Sequence, residues 1–79
     1  MTRDEIIQDA LMAVTPNTGV TPAEVMSRSK KRNVSFVRAK MAVYIHEKHG
    51  LRQSQIARLL GYDHTSIHHM FRRVKNAKT

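Results

Sequence analysis

The chain has 79 residues and no cysteine, with Lys plus Arg at 14, Asp plus Glu at 6 and a formal charge of +8. That length gives a single domain with a thin core and little space for a buried catalytic cleft, and the missing cysteines exclude disulfides and thiolate metal sites. The basic excess calls for an anionic partner, nucleic acid before a membrane surface; no apolar run approaches a membrane span, and MTRDEIIQDA lacks the apolar centre of a signal peptide, so a cytoplasmic protein is expected.

Strand-like alternation is absent, and apolar residues recur at helical spacing. A first helix is expected from Thr2, because Thr2 and Glu5 have capping-box spacing. Ile6, Ile7, Ala10, Leu11 and Val14 give it one apolar face, and Thr15 and Pro16 end it. A short second helix is expected to begin at Thr21, with Pro22 as its first residue, Glu24 closing another capping box, and Val25 and Met26 its apolar residues. The basic stretch Arg28-Ser29-Lys30-Lys31-Arg32-Asn33 follows. A third helix is expected from about Ser35 to His49, with Val37, Met41, Tyr44 and Ile45 as its buried stripe and Gly50 as its left-handed stop. A fourth spans about Gln53 to Leu60 and ends at Gly61. A fifth starts after Asp63, a good N-cap, and presents Ile67, Met70, Phe71 and Val74 on one face.

The segment from Gln53 to Phe71 has the requirements of a helix-turn-helix. Ala57 supplies the small residue where two short helices cross. Gly61 supplies the turn residue tolerant of positive φ. Ile67 and Met70 point back at the first helix of the pair. The alternative for the same spacing is an ordinary helical hairpin, against which stand the charge and the polar face. With the apolar stripe inward, Thr65, Ser66, His68, His69, Arg72 and Arg73 lie outward or flanking. Early residues of such a helix reach base edges in the major groove, and short hydroxyl side chains suit that task. Asp63 is read as a cap rather than a base contact.

These residues resemble a known family. Bacterial DnaA proteins end in a DNA-binding domain with a basic loop, a long helix with a pattern like RQIAMYL, and a helix-turn-helix closing on RDHTTV. Here the chain reads SKKRNVSFVRAKMAVYI and then QIARLLGYDHTSIHH, and the resemblance covers about residues 21–76, leaving 1–20 outside it as a helix and linker. The resemblance implies that His64, Thr65 and Ser66 take the major-groove role and that His69 lies on the backbone-facing side. Lys40 falls where the family has a polar phosphate-contacting residue, and Lys48 near the basic end of the same helix. Arg32, with Lys31 second, is the implied minor-groove arginine of the basic loop. Two departures stand out. The family Arg before its phosphate-contacting residue is Ala39 here, with Arg38 one position early and counted among the DNA-contacting cations. The turn is GYDH rather than GGRDH, so Tyr62 replaces an Arg.

No P-loop string is present, so the chain alone is no ATP-driven initiator. It reads as an excised domain or a free-standing protein, and the capped helix directly after Met1 favours a natural start. His64 with His68, and His46 with His49, have spacings that suit zinc, but neither pair has a third ligand, and no metal site is expected. No catalytic residues, cofactor or small-molecule substrate are expected either. The expected fold is all-α, a small four- to five-helix domain of the Trp-repressor-like or DnaA-like kind, with the helix-turn-helix at about 53–76. The expected function is sequence-preferring binding of double-stranded DNA in replication or transcription control. The alternative is a protein-interaction module or adaptor that binds a partner, or a second copy, through its N-terminal helix and has only weak DNA affinity.

Overall fold

The structure, a computed structural model, describes residues 2–77, with side-chain surroundings to Asn76. Five helices follow one another: α1 Arg3–Val14, α2 Pro22–Met26, α3 Arg32–His49, α4 Gln53–Leu60 and α5 His64–Ala77. Among the described residues there is no strand. The all-α expectation holds.

Local chemistry sets most helix ends. The Thr2 hydroxyl accepts from the Glu5 amide while Glu5 returns a bond to the Thr2 amide. Thr21 and Glu24 repeat the arrangement, with Pro22 as the first residue of α2. Each box satisfies free amides of a helix start. The Glu5 carboxyl is held below its ordinary value by the Thr2 backbone amide and then the Thr2 side chain. Gly50 at φ 69° and Gly61 at φ 76° end α3 and α4 in the left-handed conformation, which glycine adopts without a Cβ clash.

The long α3 is the axis of the domain. It packs against α1, α2, α4 and α5, and α4 also packs against α5. Val34, Met41, Ala42 and Ile45 on α3 are fully buried, as are Val25 on α2, Ile56 on α4 and Ile67 on α5. Burying side chains of this size stabilises by about 1.5–3 kcal/mol each. The α1 helix belongs to the same core, since Ile7, Ala10 and Leu11 are buried. Tyr44 donates to the Asp9 carboxylate at 3.0 Å, and His49 Nε2 lies 2.9 Å from the same oxygen. At the other end of α1, Arg3 Nε donates to the Leu59 carbonyl at 2.9 Å.

One boundary differs from the sequence expectation. The α3 helix begins at Arg32, not near Ser35, and its N-cap Lys31 makes no side-chain cap bond. The Ser35 amide donates to the Lys31 carbonyl at 2.8 Å, a bond of the first turn. Val34 in this added turn is wholly buried, so the turn is anchored to the core by packing in place of a cap. Arg32 therefore stands at the head of α3, where the sequence reading had placed it in the loop.

Candidate nucleic-acid interface

The helix-turn-helix is built from α4, the turn Gly61-Tyr62-Asp63, and α5. Ala57 is 6 % exposed and Ile67 is 0 % exposed, so the small residue and its apolar partner lie inside as the crossing requires. The Tyr62 amide donates to the Ala57 carbonyl at 2.9 Å and closes α4 over the left-handed Gly61. Asp63 caps α5, its Oδ1 accepting from the Ser66 amide at 2.8 Å. That amide, and then the Ser66 side chain, hold the Asp63 carboxyl below its ordinary value.

The cap leaves the outer side of the first turn open. His64 and Thr65 are exposed and Ser66 is half-buried. Thr65 makes no hydrogen bond among the described residues, so its hydroxyl and methyl are free for a ligand. His69, one turn on, is exposed and borders a cleft of about 180 Å³ also lined by Ser35, Arg38, Ala39, Met70 and Arg73. Lys31 and Arg32 are exposed at the head of α3. Lys40 is exposed, with Nζ 5.0 Å from the Phe36 ring centroid. Lys48 is exposed too, with Nζ 5.8 Å from the Tyr44 ring, but lies about 24 Å along the helix from Arg32. The structure thus gathers His64, Thr65, Ser66 and His69 on one helix, with Lys31 and Arg32 at the end of the loop, and sets Lys48 apart.

Arg38, counted in the sequence among the DNA-contacting cations, is buried. It is 6 % exposed, with Nε donating to the Val25 carbonyl at 2.9 Å and Nη1 to the Ser29 carbonyl at 3.0 Å. Its Nη2 is buried without a hydrogen-bond partner among the described residues. The reason is its register: Arg38 follows Val34 by four residues on the buried stripe of α3, and its side chain runs inward to the end of α2. A guanidinium so placed ties the end of α2 and the loop to α3.

Two arginines that the sequence reading left out of the site also reach this surface. Arg28 Nη2 donates to the Gly61 carbonyl at 3.0 Å, and its guanidinium lies 4.8 Å from the Tyr62 ring centroid. Arg73 Nη2 donates to the Arg32 carbonyl at 3.1 Å, and its guanidinium lies 5.6 Å from the Phe36 ring. Their signal was positional. Arg28 opens the basic stretch, and Arg73 flanks the α5 stripe one residue before Val74.

His46 and His49 each have a partner inside the domain. His46 Nδ1 lies 2.7 Å from the Leu51 carbonyl, its ring edge-on to Phe71, while His49 holds Asp9. Among the described residues no group of three His, Cys, Asp or Glu could hold a metal. Nor is any described helix long and apolar enough to cross a membrane.

The arrangement is a capped helix presenting an open polar first turn beside a basic loop, with apolar residues closing its other side. The family described as the bacterial DnaA protein helix-turn-helix matches residues 7–74. The matched span opens inside α1, upstream of the residues that carry the sequence resemblance, and closes at Val74. Neither a curated protein nor a solved structure matches the chain significantly. With the fold, the turn and the matched span in agreement, the chain belongs to the bacterial DnaA helix-turn-helix family, a family of DNA-binding domains.

Proposed function

We propose that the protein binds duplex DNA with sequence preference by laying the N-terminal half of α5 in the major groove. The observation that carries this reading is the open first turn of α5 in a chain that matches a DNA-binding family. Thr65 is the principal base-reading residue, because its side chain is exposed and unpaired. Ser66, which also interacts with Asp63, assists it, and His64 flanks them. Thymine methyl contact and hydrogen bonding to a base edge are both within reach of a threonine. His69 faces the backbone on the side of the cleft it borders. Lys31 and Arg32 reach toward the adjacent minor groove, and Lys40 and Lys48 neutralise phosphates farther along α3. Arg38 contributes by position rather than contact. Residues 21–76 form the DNA-binding region, and α1 braces it through Asp9, Tyr44 and His49.

The protein-interaction alternative places a partner on the first helix, which is acidic and has an apolar face. That face is buried against the rest of the domain at Ile7, Ala10 and Leu11, which favours the DNA reading. The biological setting proposed is control of replication or transcription.

The test is selection of bound fragments from a random duplex library, followed by titration of the enriched duplex at several salt concentrations. A recurring motif should emerge, and affinity should fall with salt with a slope of about −0.9 per neutralised phosphate. Binding that enriches no motif would refute sequence reading by α5. Affinity that ignores salt would refute phosphate neutralisation.

A further inference from the structure

The basic stretch from Arg28 to Asn33 holds four cations, no acid and no apolar residue. The structure binds its backbone from three sides. Arg38, inside the core, takes the Ser29 carbonyl with Nη1 and the Val25 carbonyl with Nε. Arg28, from within the loop, reaches across to the Gly61 carbonyl and lies on the Tyr62 ring. Arg73, from α5, takes the Arg32 carbonyl where the loop enters α3. Inside the loop, the Ser29 hydroxyl accepts from the Lys31 amide at 3.3 Å. Arg28 itself sits at φ 63°, a left-handed conformation that a non-glycine residue seldom adopts. Its cross-chain partners give that conformation a reason.

Tyr62 is the centre of the device. It occupies the turn of the helix-turn-helix, one residue before the cap of α5, so whatever docks on it is referenced to the reading helix. Arg28 lies 4.8 Å from its ring centroid and the buried Arg38 6.0 Å, both within the range of cation–π attraction. The Tyr62 hydroxyl makes no hydrogen bond among the described residues, so the ring alone performs this task. With the Arg28 guanidinium turned to the Gly61 carbonyl, the loop leaves the Lys30, Lys31 and Arg32 side chains exposed.

We propose that Arg28, Tyr62, Arg38 and Arg73 are positioning residues that hold the 28–32 loop in a fixed place beside the first turn of α5 before DNA arrives. The proposal rests on the reading that α5 and the loop contact one duplex together. Its consequence is that the loop cations and the reading helix engage as one preformed surface, with less ordering on binding.

The test compares Tyr62→Phe, Tyr62→Leu and Arg28→Lys with the unmodified full chain. Two readouts are used: backbone amide relaxation of Lys30 and Lys31 in the free protein, and affinity for the selected duplex against random duplex. Tyr62→Phe keeps the ring and should match the parent in both. Tyr62→Leu removes the ring without changing charge. It should loosen the Lys30 and Lys31 amides and weaken the selected duplex about 3- to 10-fold, as expected for losing an aromatic platform and the hydrogen bond it steadies, with a smaller loss on random DNA. Arg28→Lys keeps the charge and loses the planar fork. It should loosen the loop as Tyr62→Leu does and leave the salt slope unchanged. Loop amides as rigid in both loosening variants as in the parent would overturn the proposal. So would Tyr62→Phe losing as much affinity as Tyr62→Leu, since that would make Tyr62 a hydroxyl contact to DNA. If the parent enriches no preferred duplex, base reading fails instead, and the relaxation of the free protein still decides whether the loop is held.

Discussion

Replacing Thr65 by Ala separates base reading from electrostatic attraction. The side chain is exposed, lies in the first turn of α5, and makes no hydrogen bond among the described residues, so nothing in the free protein depends on it. Ala is the better helix former by up to about 0.7 kcal/mol, and the variant should fold at least as well as the parent. Any lost affinity therefore belongs to the complex. A residue that discriminates at a base edge contributes about 1–3 kcal/mol on its preferred site, which is roughly a 5- to 150-fold weaker dissociation constant at tenfold per 1.4 kcal/mol. Random duplex should be nearly unaffected. Lys40→Ala is the counterpart. Its ammonium is exposed, resting 5.0 Å from the Phe36 ring, and its loss should weaken both duplexes by a similar factor and make the salt slope shallower by about 0.9. Fluorescence anisotropy of each variant against the selected and random duplexes, over a salt series, measures all four quantities. If Thr65→Ala weakens selected and random DNA alike, as Lys40→Ala does, the first turn of α5 is not reading bases and this docking is wrong.

Three further outcomes concern the scaffold. The Asp9 carboxyl is lowered by His49 first and Tyr44 second; a folded pKa below the unfolded one stabilises above the ordinary carboxylate range and ceases to do so as pH falls through the folded value. Urea melts should therefore show Asp9→Asn less stable than the parent at pH 7, with the gap closing as pH falls through and below the ordinary carboxylate range, and a gap that persists in strong acid would contradict this. Ile67 is wholly buried where α5 meets the core, so Ile67→Ala should cost about 2–5 kcal/mol and Ile67→Val about 0.5–1.5 kcal/mol in chemical denaturation. Gly50→Ala and Gly61→Ala both force an alanine into the left-handed region, at about 1–2 kcal/mol each. Only at Gly61 does the new Cβ also meet Arg28, at 3.2 Å, so Gly61→Ala alone should also lower the preference for the selected duplex.

Legibility in the sequence followed the range of the interaction that decides each feature. Both capping boxes, the Asp63 cap and the glycine stops at Gly50 and Gly61 are made by residues within a few positions of one another, and all lie where the sequence placed them. Although Tyr44, Met70 and Phe71 end up half-buried at the edge of the core, the apolar stripes were largely readable, because period sets which side faces inward. The start of α3 was not. Ser35 has the chemistry of an N-cap, yet the helix begins at Arg32 without a side-chain cap, held by burial of Val34 and by Arg73 from the far end of the chain. The burial of Arg38 was also missed, because charged residues are rarely interior and a basic sequence suggests phosphate contacts. Yet Arg38 occupies the stripe position between Val34 and Met41, and that register was visible. Of the site itself, the open first turn of α5 was legible from the sequence; the clasp of Arg28 on Tyr62 joins residues far apart in the chain, and no local pattern announces it.

Net charge overstates the cations free to attract DNA. Four arginines direct guanidinium donors to backbone carbonyls, Arg38 from a buried position and the others from the surface: Arg3 to Leu59, Arg28 to Gly61, Arg38 to Val25 and Ser29, and Arg73 to Arg32. Three of those acceptors, Val25, Leu59 and Gly61, lie at the C-terminal ends of α2 and α4, where carbonyls lack intrahelical partners and the helix dipole favours positive charge. A domain of this length has too thin a core to orient short helices by apolar packing alone. A guanidinium reaches several ångströms, donates in a fixed plane and keeps its charge at any physiological pH, so it can tie the end of one helix to another element across a gap that no aliphatic side chain fills. The basic composition therefore has two causes. The lysines, exposed wherever the structure describes them beside the loop and along α3, supply the field that draws in a polyanion, while several of the arginines fix the shape that the field surrounds. Lysine substitutions should accordingly act mainly on salt-dependent affinity, and substitutions of these four arginines on stability and loop order.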